Sequence, residues 1–139
     1  MAIVNDIMFC AGVTHSPESG VTAHAITDVL RPRDISKPFS FVSIVTVKDL
    51  EFGEEYKLKV RIINESSDEL AVTEGMLPMK PMNNVPKEHQ GIHVALVWKD
   101  IILPAEGVYT IQAFVNGEIL KVQDFYVKET VDKPVPGTH

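Results

Sequence analysis

Cys10 and His24 are the residues of this chain whose types most directly suggest chemistry. A thiol beside an imidazole makes a nucleophile and its base, because the imidazole takes the thiol proton and the thiolate attacks. The two flank His15-Ser16-Pro17-Glu18-Ser19-Gly20, a stretch dense in turn residues. An opening hairpin that turns near Pro17 in equal register sets them on neighbouring strands, side by side. The plainer alternative is a small buried thiol and a half-exposed strand histidine. His15, His24, His89 and His93 are the candidate metal ligands, but their spacing matches no closed ligand set and no acidic residue stands at a telling interval. No metal and no cofactor is therefore expected.

Two other constellations suit binding. Lys57, Lys59 and Arg61 alternate with Leu58, Val60 and Ile62, so one strand face projects three positive charges toward an acidic partner or a phosphate backbone, or simply toward solvent. No aromatic residue is interleaved with that row to stack bases. Met76, Met79 and Met82 are flexible apolar side chains in and beside a segment broken by Pro78, Pro81 and Pro86, where the chain is expected at the surface. They suit an adaptable interaction site, or they fold back to cap the sandwich.

Familiar catalytic signatures are missing. There is no Walker loop, dinucleotide-binding glycine fingerprint, nucleophile elbow, zincin helix or paired-cysteine motif. The reading leans away from an enzyme, although sites assembled from distant residues leave no local pattern. The chain has 139 residues, enough for one domain, and 13 basic against 19 acidic side chains give a formal charge of −6. That balance argues against duplex nucleic acid as partner. No segment approaches the roughly 18 apolar residues of a membrane span and the start lacks a secretory pattern, so no membrane and a cytoplasmic location are expected. A single cysteine excludes an internal disulfide.

The elements that must position these residues are strands. Tyr56, Leu58, Val60 and Ile62 alternate with charges, and residues 39–47 are apolar on both faces, as in an interior strand. Asp49 to Gly53 supplies turn chemistry for a short hairpin between those two strands. Asn64 to Asp68 is another turn, and Glu69 to Met76 a shorter strand. Residues 77–90 form the longest loop because three prolines remove backbone donors. Ile92, Val94, Leu96 and Trp98 mark one face of the next strand. Asn116-Gly117 between Gly107–Val115 and a strand from Glu118 is a hairpin signal for a type I′ turn, with Tyr109, Ile111, Ala113, Val115, Phe125 and Val127 facing inward. Ile3–Val13 and Val21–Leu30 should form the opening hairpin. No helical pattern and no repeat is found.

Leu103-Pro104-Ala105-Glu106-Gly107-Val108-Tyr109-Thr110-Ile111, followed by Asn116-Gly117 and Phe125-Tyr126-Val127, resembles the tyrosine-corner strand and last strand of immunoglobulin-like sandwiches. In that family Tyr109 is structural. With Phe9-Cys10-Ala11, the turn at Gly20 and Lys37-Pro38-Phe39, most of the chain is similar to a group of small bacterial and phage-associated proteins of unknown function. Where such relatives tend to carry an aspartate after Ala11, this chain has Gly12.

The expected fold is all-β: a single immunoglobulin-like antiparallel β-sandwich of about seven or eight strands over residues 1–129, with an irregular tail at 130–139. The expected role is a non-enzymatic protein-interaction module that presents the 77–90 loop and an exposed strand edge to a protein partner or to its own copy as a homo-oligomer, and the resemblance implies a phage or prophage accessory protein. The alternative is a small-molecule binder or hydrolytic enzyme with a pocket between the sheets or at the sandwich end.

Overall fold

Wherever the sequence alternates with period two, the chain is extended. The computed structural model describes residues 3–10, 12–16, 20–24, 27, 29–50, 54–77 and 91–129. In chain order the strands are β1 (Ile3–Cys10), β2 (Gly12–Ser16), β3 (Gly20–His24), β4 (Val29–Leu30) and β5 (Phe39–Lys48). They continue with β6 (Lys57–Ile63), β7 (Glu69–Met76), β8 (Gly91–Ile101), β9 (Gly107–Val115) and β10 (Glu118–Val127). One sheet has the order β1-β5-β8, the other β4-β10-β9-β6-β7, and β2 and β3 form a separate ribbon. The eight strands of the two larger sheets make the two layers of an immunoglobulin-like sandwich. No helix among the described residues is long and apolar enough to cross a membrane.

The inward face of each strand supplies the core. Phe9, Phe41, Val45 and Val47 come from one sheet, and Val60, Ile62, Ile111, Ala113 and Val127 from the other, all essentially buried. Phe9 joins the layers, its ring centroid 6.1 Å from Phe41 and 4.7 Å from Phe125. Each of these valine, isoleucine and phenylalanine side chains contributes about 1.5–3 kcal/mol by leaving water. Trp98, an anchor of this core, donates its indole N–H to Ser43 Oγ at 2.8 Å.

Two local signals are realised in full. Asn116 and Gly117 both have positive φ, 50° and 83°, as a type I′ turn requires. The turn also ties down the neighbouring strand, since Asn116 Oδ1 accepts the Lys57 N–H at 2.8 Å. The Tyr109 hydroxyl donates to the Ala105 carbonyl at 2.6 Å and accepts the Ala105 N–H at 3.1 Å, closing the tyrosine corner.

Three expectations need correction. Asp49 and Leu50 do not begin a hairpin: β5 and β6 lie in different sheets, because β1 and β8 already occupy both edges of β5. The opening hairpin is shorter than expected, confined to β2 and β3, while β1 is drawn to β5. The sandwich is antiparallel except at Val29–Leu30, where β4 runs parallel to β10.

Candidate functional site

The reactive pair is not assembled by the strand register. Cys10 ends β1 opposite Val42, and the residue opposite His24 is Gly12. Cys10 is buried with Val42 and Ile44 on the face of β5 turned away from the core, against Met8 and Ala95. This layer explains why residues 39–47 are apolar on both faces. His93 lies on the same outer face of β8, its Nδ1 2.9 Å from Thr46 Oγ1. His15 stands opposite Val21 in the ribbon, and His89 is outside the described residues. Among the described residues, no three His, Cys, Asp or Glu side chains gather in a way that could hold a metal ion.

Concave space does not gather these groups either. A cleft of about 360 Å³ lies between β1 and β10, lined by Asp6, Phe9, Thr27, Gln123 and Phe125 among others. Gln123 spans it, donating to the Ile7 carbonyl at 3.0 Å. A hollow of about 200 Å³ sits at the sandwich end between residues 64–66 and 104–109. A third, of about 110 Å³, opens between β7 and β8 over Leu58, Gly75 and Leu96. Among the described residues, neither Cys10 nor a histidine lines any of the three.

The basic row sits on the outer face of the five-stranded sheet, and pairing brings it unexpected neighbours. Lys57 stands opposite Met76, Lys59 opposite Glu74 and Arg61 opposite Val72 on β7. On the other side Lys59 faces Phe114 and Arg61 faces Gln112 of β9. Phe114 and Gln112 in turn face Ile119 and Val122 of β10. Two cross-strand rows result, Glu74-Lys59-Phe114-Ile119 and Val72-Arg61-Gln112-Val122. Of the sequence-based candidates, Lys57, Lys59, Arg61 and Met76 therefore share one face. Met79 and Met82 fall outside the described residues.

At the centre, two cations share one ring. Lys59 Nζ is 5.7 Å and the Arg61 guanidinium 5.4 Å from the centroid of Phe114, within range of cation–π attraction. Arg61 Nε donates to Gln112 Oε1 at 2.6 Å, which fixes the guanidinium plane. The row is partly neutralised: Lys57 Nζ lies 3.5 Å from Glu74 Oε2, and Arg61 Nη1 4.0 Å from Glu69 Oε1. Lys59 has no ion pair among the described residues.

Around this centre the face mixes charged and exposed apolar side chains. The large hydrophobic side chains exposed among the described residues are Ile3, Val72, Met76, Val97, Ile102, Val108, Ile119, Val122 and Tyr126. Six of these nine, Val72, Met76, Val108, Ile119, Val122 and Tyr126, belong to the outer face of this one sheet. Exposed aliphatics scattered singly need no explanation, but these six share one face. Reading the sequence strand by strand missed Phe114. The signal was nonetheless present, since Tyr109, Ile111, Ala113 and Val115 inward leave a large aromatic pointing outward.

The chain is similar to two solved structures, both at 11% sequence identity. One is an immunoglobulin-like protein from Pseudomonas aeruginosa, with 92% of this chain and 97% of that chain covered at a TM-score of 0.44. The other is an alkylpurine DNA glycosylase from Pseudomonas fluorescens, bound to DNA containing an abasic site analog. There 88% of this chain and 30% of that chain are covered, at a TM-score of 0.46. Likeness at this level places no ligand on the chain. The partners expected from composition are not established, and the exclusion of duplex nucleic acid does not stand. The exclusion of duplex nucleic acid rested on net charge alone, and net charge does not describe the local charge of a face. No curated protein matches the sequence. Residues 7–128 match the model of a family of unknown function (DUF6941), and the chain belongs to that family.

Proposed function

We propose that the chain is a non-enzymatic binding module whose contact surface is the outer face of the five-stranded sheet, centred on Lys59, Arg61 and Phe114. The observation that carries this reading is the gathering of six exposed apolar side chains around a cationic and aromatic centre on that face. A rigid sandwich suits the task, because strands hold the contact residues in fixed rows and little conformational entropy is lost on docking. The setting we infer from the resemblance is bacterial and cytoplasmic, with a phage or prophage accessory role.

Site-specific photo-crosslinking in bacterial cells tests the face. Benzoylphenylalanine replaces Val122 in one variant and Val97, on the outer face of the other sheet, in a second. The expected result is one discrete adduct at Val122, identified by mass spectrometry, that is absent at Val97 and lost when Phe114→Ala is added. Equal adducts at both positions, adducts at Val97 alone, or none at either would overturn the reading.

A further inference from the structure

We infer that the outer face recognises an extended polypeptide segment in which a carboxylate side chain is flanked by apolar ones. This inference deepens the proposed function and rests on it. The carboxylate would sit over Phe114, between Lys59 and Arg61.

The charges on the face point to a carboxylate at this place. Two cations held over one ring repel each other, and nearby protein anions relieve that repulsion only in part. Glu74 is engaged with Lys57, and Glu69 reaches Arg61 only at the 4.0 Å limit of an ion pair. With its Nε committed to Gln112, the guanidinium is oriented and its terminal nitrogens remain to grip a carboxylate. The half-buried ring beneath lowers the local dielectric, which strengthens such a contact relative to one in open water.

Apolar groups flank this centre along the rows. Val72 lies on one side of Arg61 and Val122 on the other side of Gln112, and both are exposed. They sit three strand spacings apart, about 14 Å, which four residue steps of an extended segment span, so that its first, third and fifth side chains face the sheet. An apolar residue, an acid two positions on and a second apolar residue two positions beyond it therefore match the row from β7 to β10.

The same face disfavours a nucleic-acid backbone. Glu69 and Glu74 border the cations, and Asp124 stands further along the same face, accepting from Thr110 Oγ1 at 2.9 Å. A continuous polyphosphate needs an unbroken basic track and would meet these carboxylates, whereas an isolated carboxylate avoids them.

The test is a titration of the full-length ¹⁵N-labelled chain, followed by amide chemical shifts. The probes are the blocked peptide acetyl-Val-Ser-Glu-Ser-Val-amide, its counterpart with Gln in place of Glu, inorganic phosphate and a short oligothymidylate. The acidic peptide should shift Val72, Lys59, Arg61, Phe114 and Val122. It should bind about three- to tenfold more tightly than the Gln peptide, as expected for two partly exposed charge contacts of one carboxylate with Lys59 and Arg61. A Lys59→Gln, Arg61→Gln variant with an otherwise unchanged spectrum should abolish that difference. Equal binding of both peptides on this face overturns the acidic preference and leaves the docking face standing. Failure of both peptides to shift these amides overturns the inference, while the crosslinking result still judges the face independently. Larger shifts of the same amides with oligothymidylate than with the acidic peptide would replace the polypeptide by nucleic acid. Shifts by phosphate equal to those by peptide would reduce the site to one for any small anion.

Discussion

Ser43 is the one polar side chain fully buried among the described residues, and it is there to accept the indole N–H of Trp98. Replacing it by alanine removes the acceptor and leaves the donor in the core. The cost of an unsatisfied buried N–H is about 1–3 kcal/mol, so Ser43→Ala should lose about 2 kcal/mol. With an unfolding slope of about 2 kcal/mol/M, the urea midpoint falls by about 1 M. The background decides the sign. Once Trp98→Phe has removed the donor, the Ser43 hydroxyl is itself without its partner. Adding Ser43→Ala to that variant should then be neutral or stabilise by up to about 1 kcal/mol. Urea unfolding of the four proteins, followed by far-ultraviolet circular dichroism because Trp98 is the only tryptophan, measures the cycle. A loss below about 0.5 kcal/mol for Ser43→Ala, or the same loss in both backgrounds, would refute the argument.

Two further outcomes follow from local geometry. Tyr109→Phe keeps the ring stacked on Phe125 but removes both hydrogen bonds to Ala105, so it should cost about 1–2 kcal/mol and lower Tm by about 3–7 °C, whereas Tyr126→Phe, on the outer face, should change neither. The Ser36 hydroxyl and N–H both donate to Asp34 Oδ1 and hold its pKa below the ordinary aspartate range. A depressed folded value means that any stabilisation from this turn is present above the unfolded pKa and lost as pH falls through the folded one. An NMR titration of the Ser36 amide should therefore show a midpoint below that of a model aspartate, absent in Asp34→Asn, and a midpoint at or above it would contradict the assignment.

Much of the scaffold was legible from single segments. Lys57 to Ile62 alternates so cleanly that its two faces could be named, and both placements hold in β6. Asn116-Gly117 marked its turn because only residues tolerant of positive φ connect two strands in that geometry. The inward set Tyr109, Ile111, Ala113 and Val115 followed from the same period. These features depend on bonds and side chains a few residues apart, and such distances are written in the sequence.

What the sequence left open was which strand lies beside which. Asp49 to Gly53 has turn chemistry whether the chain doubles back or crosses to the other layer, and only the prior occupation of both edges of β5 selects the crossing. The opening segments looked like one long hairpin, but β1 gains more by joining β5, where Ile7 and Phe9 enter the core. The candidate face has the same origin. Lys57, Lys59 and Arg61 were visible as a row, yet Gln112, which orients Arg61, is 51 positions away, and Phe114, Val72 and Val122 join it only through the registers of β7, β9 and β10. Side-chain alternation is set by the backbone of each strand alone, so the sequence by itself determined it. Neighbourhood is set by which pairing buries the most apolar surface over the whole sandwich, and only the tertiary structure decided that.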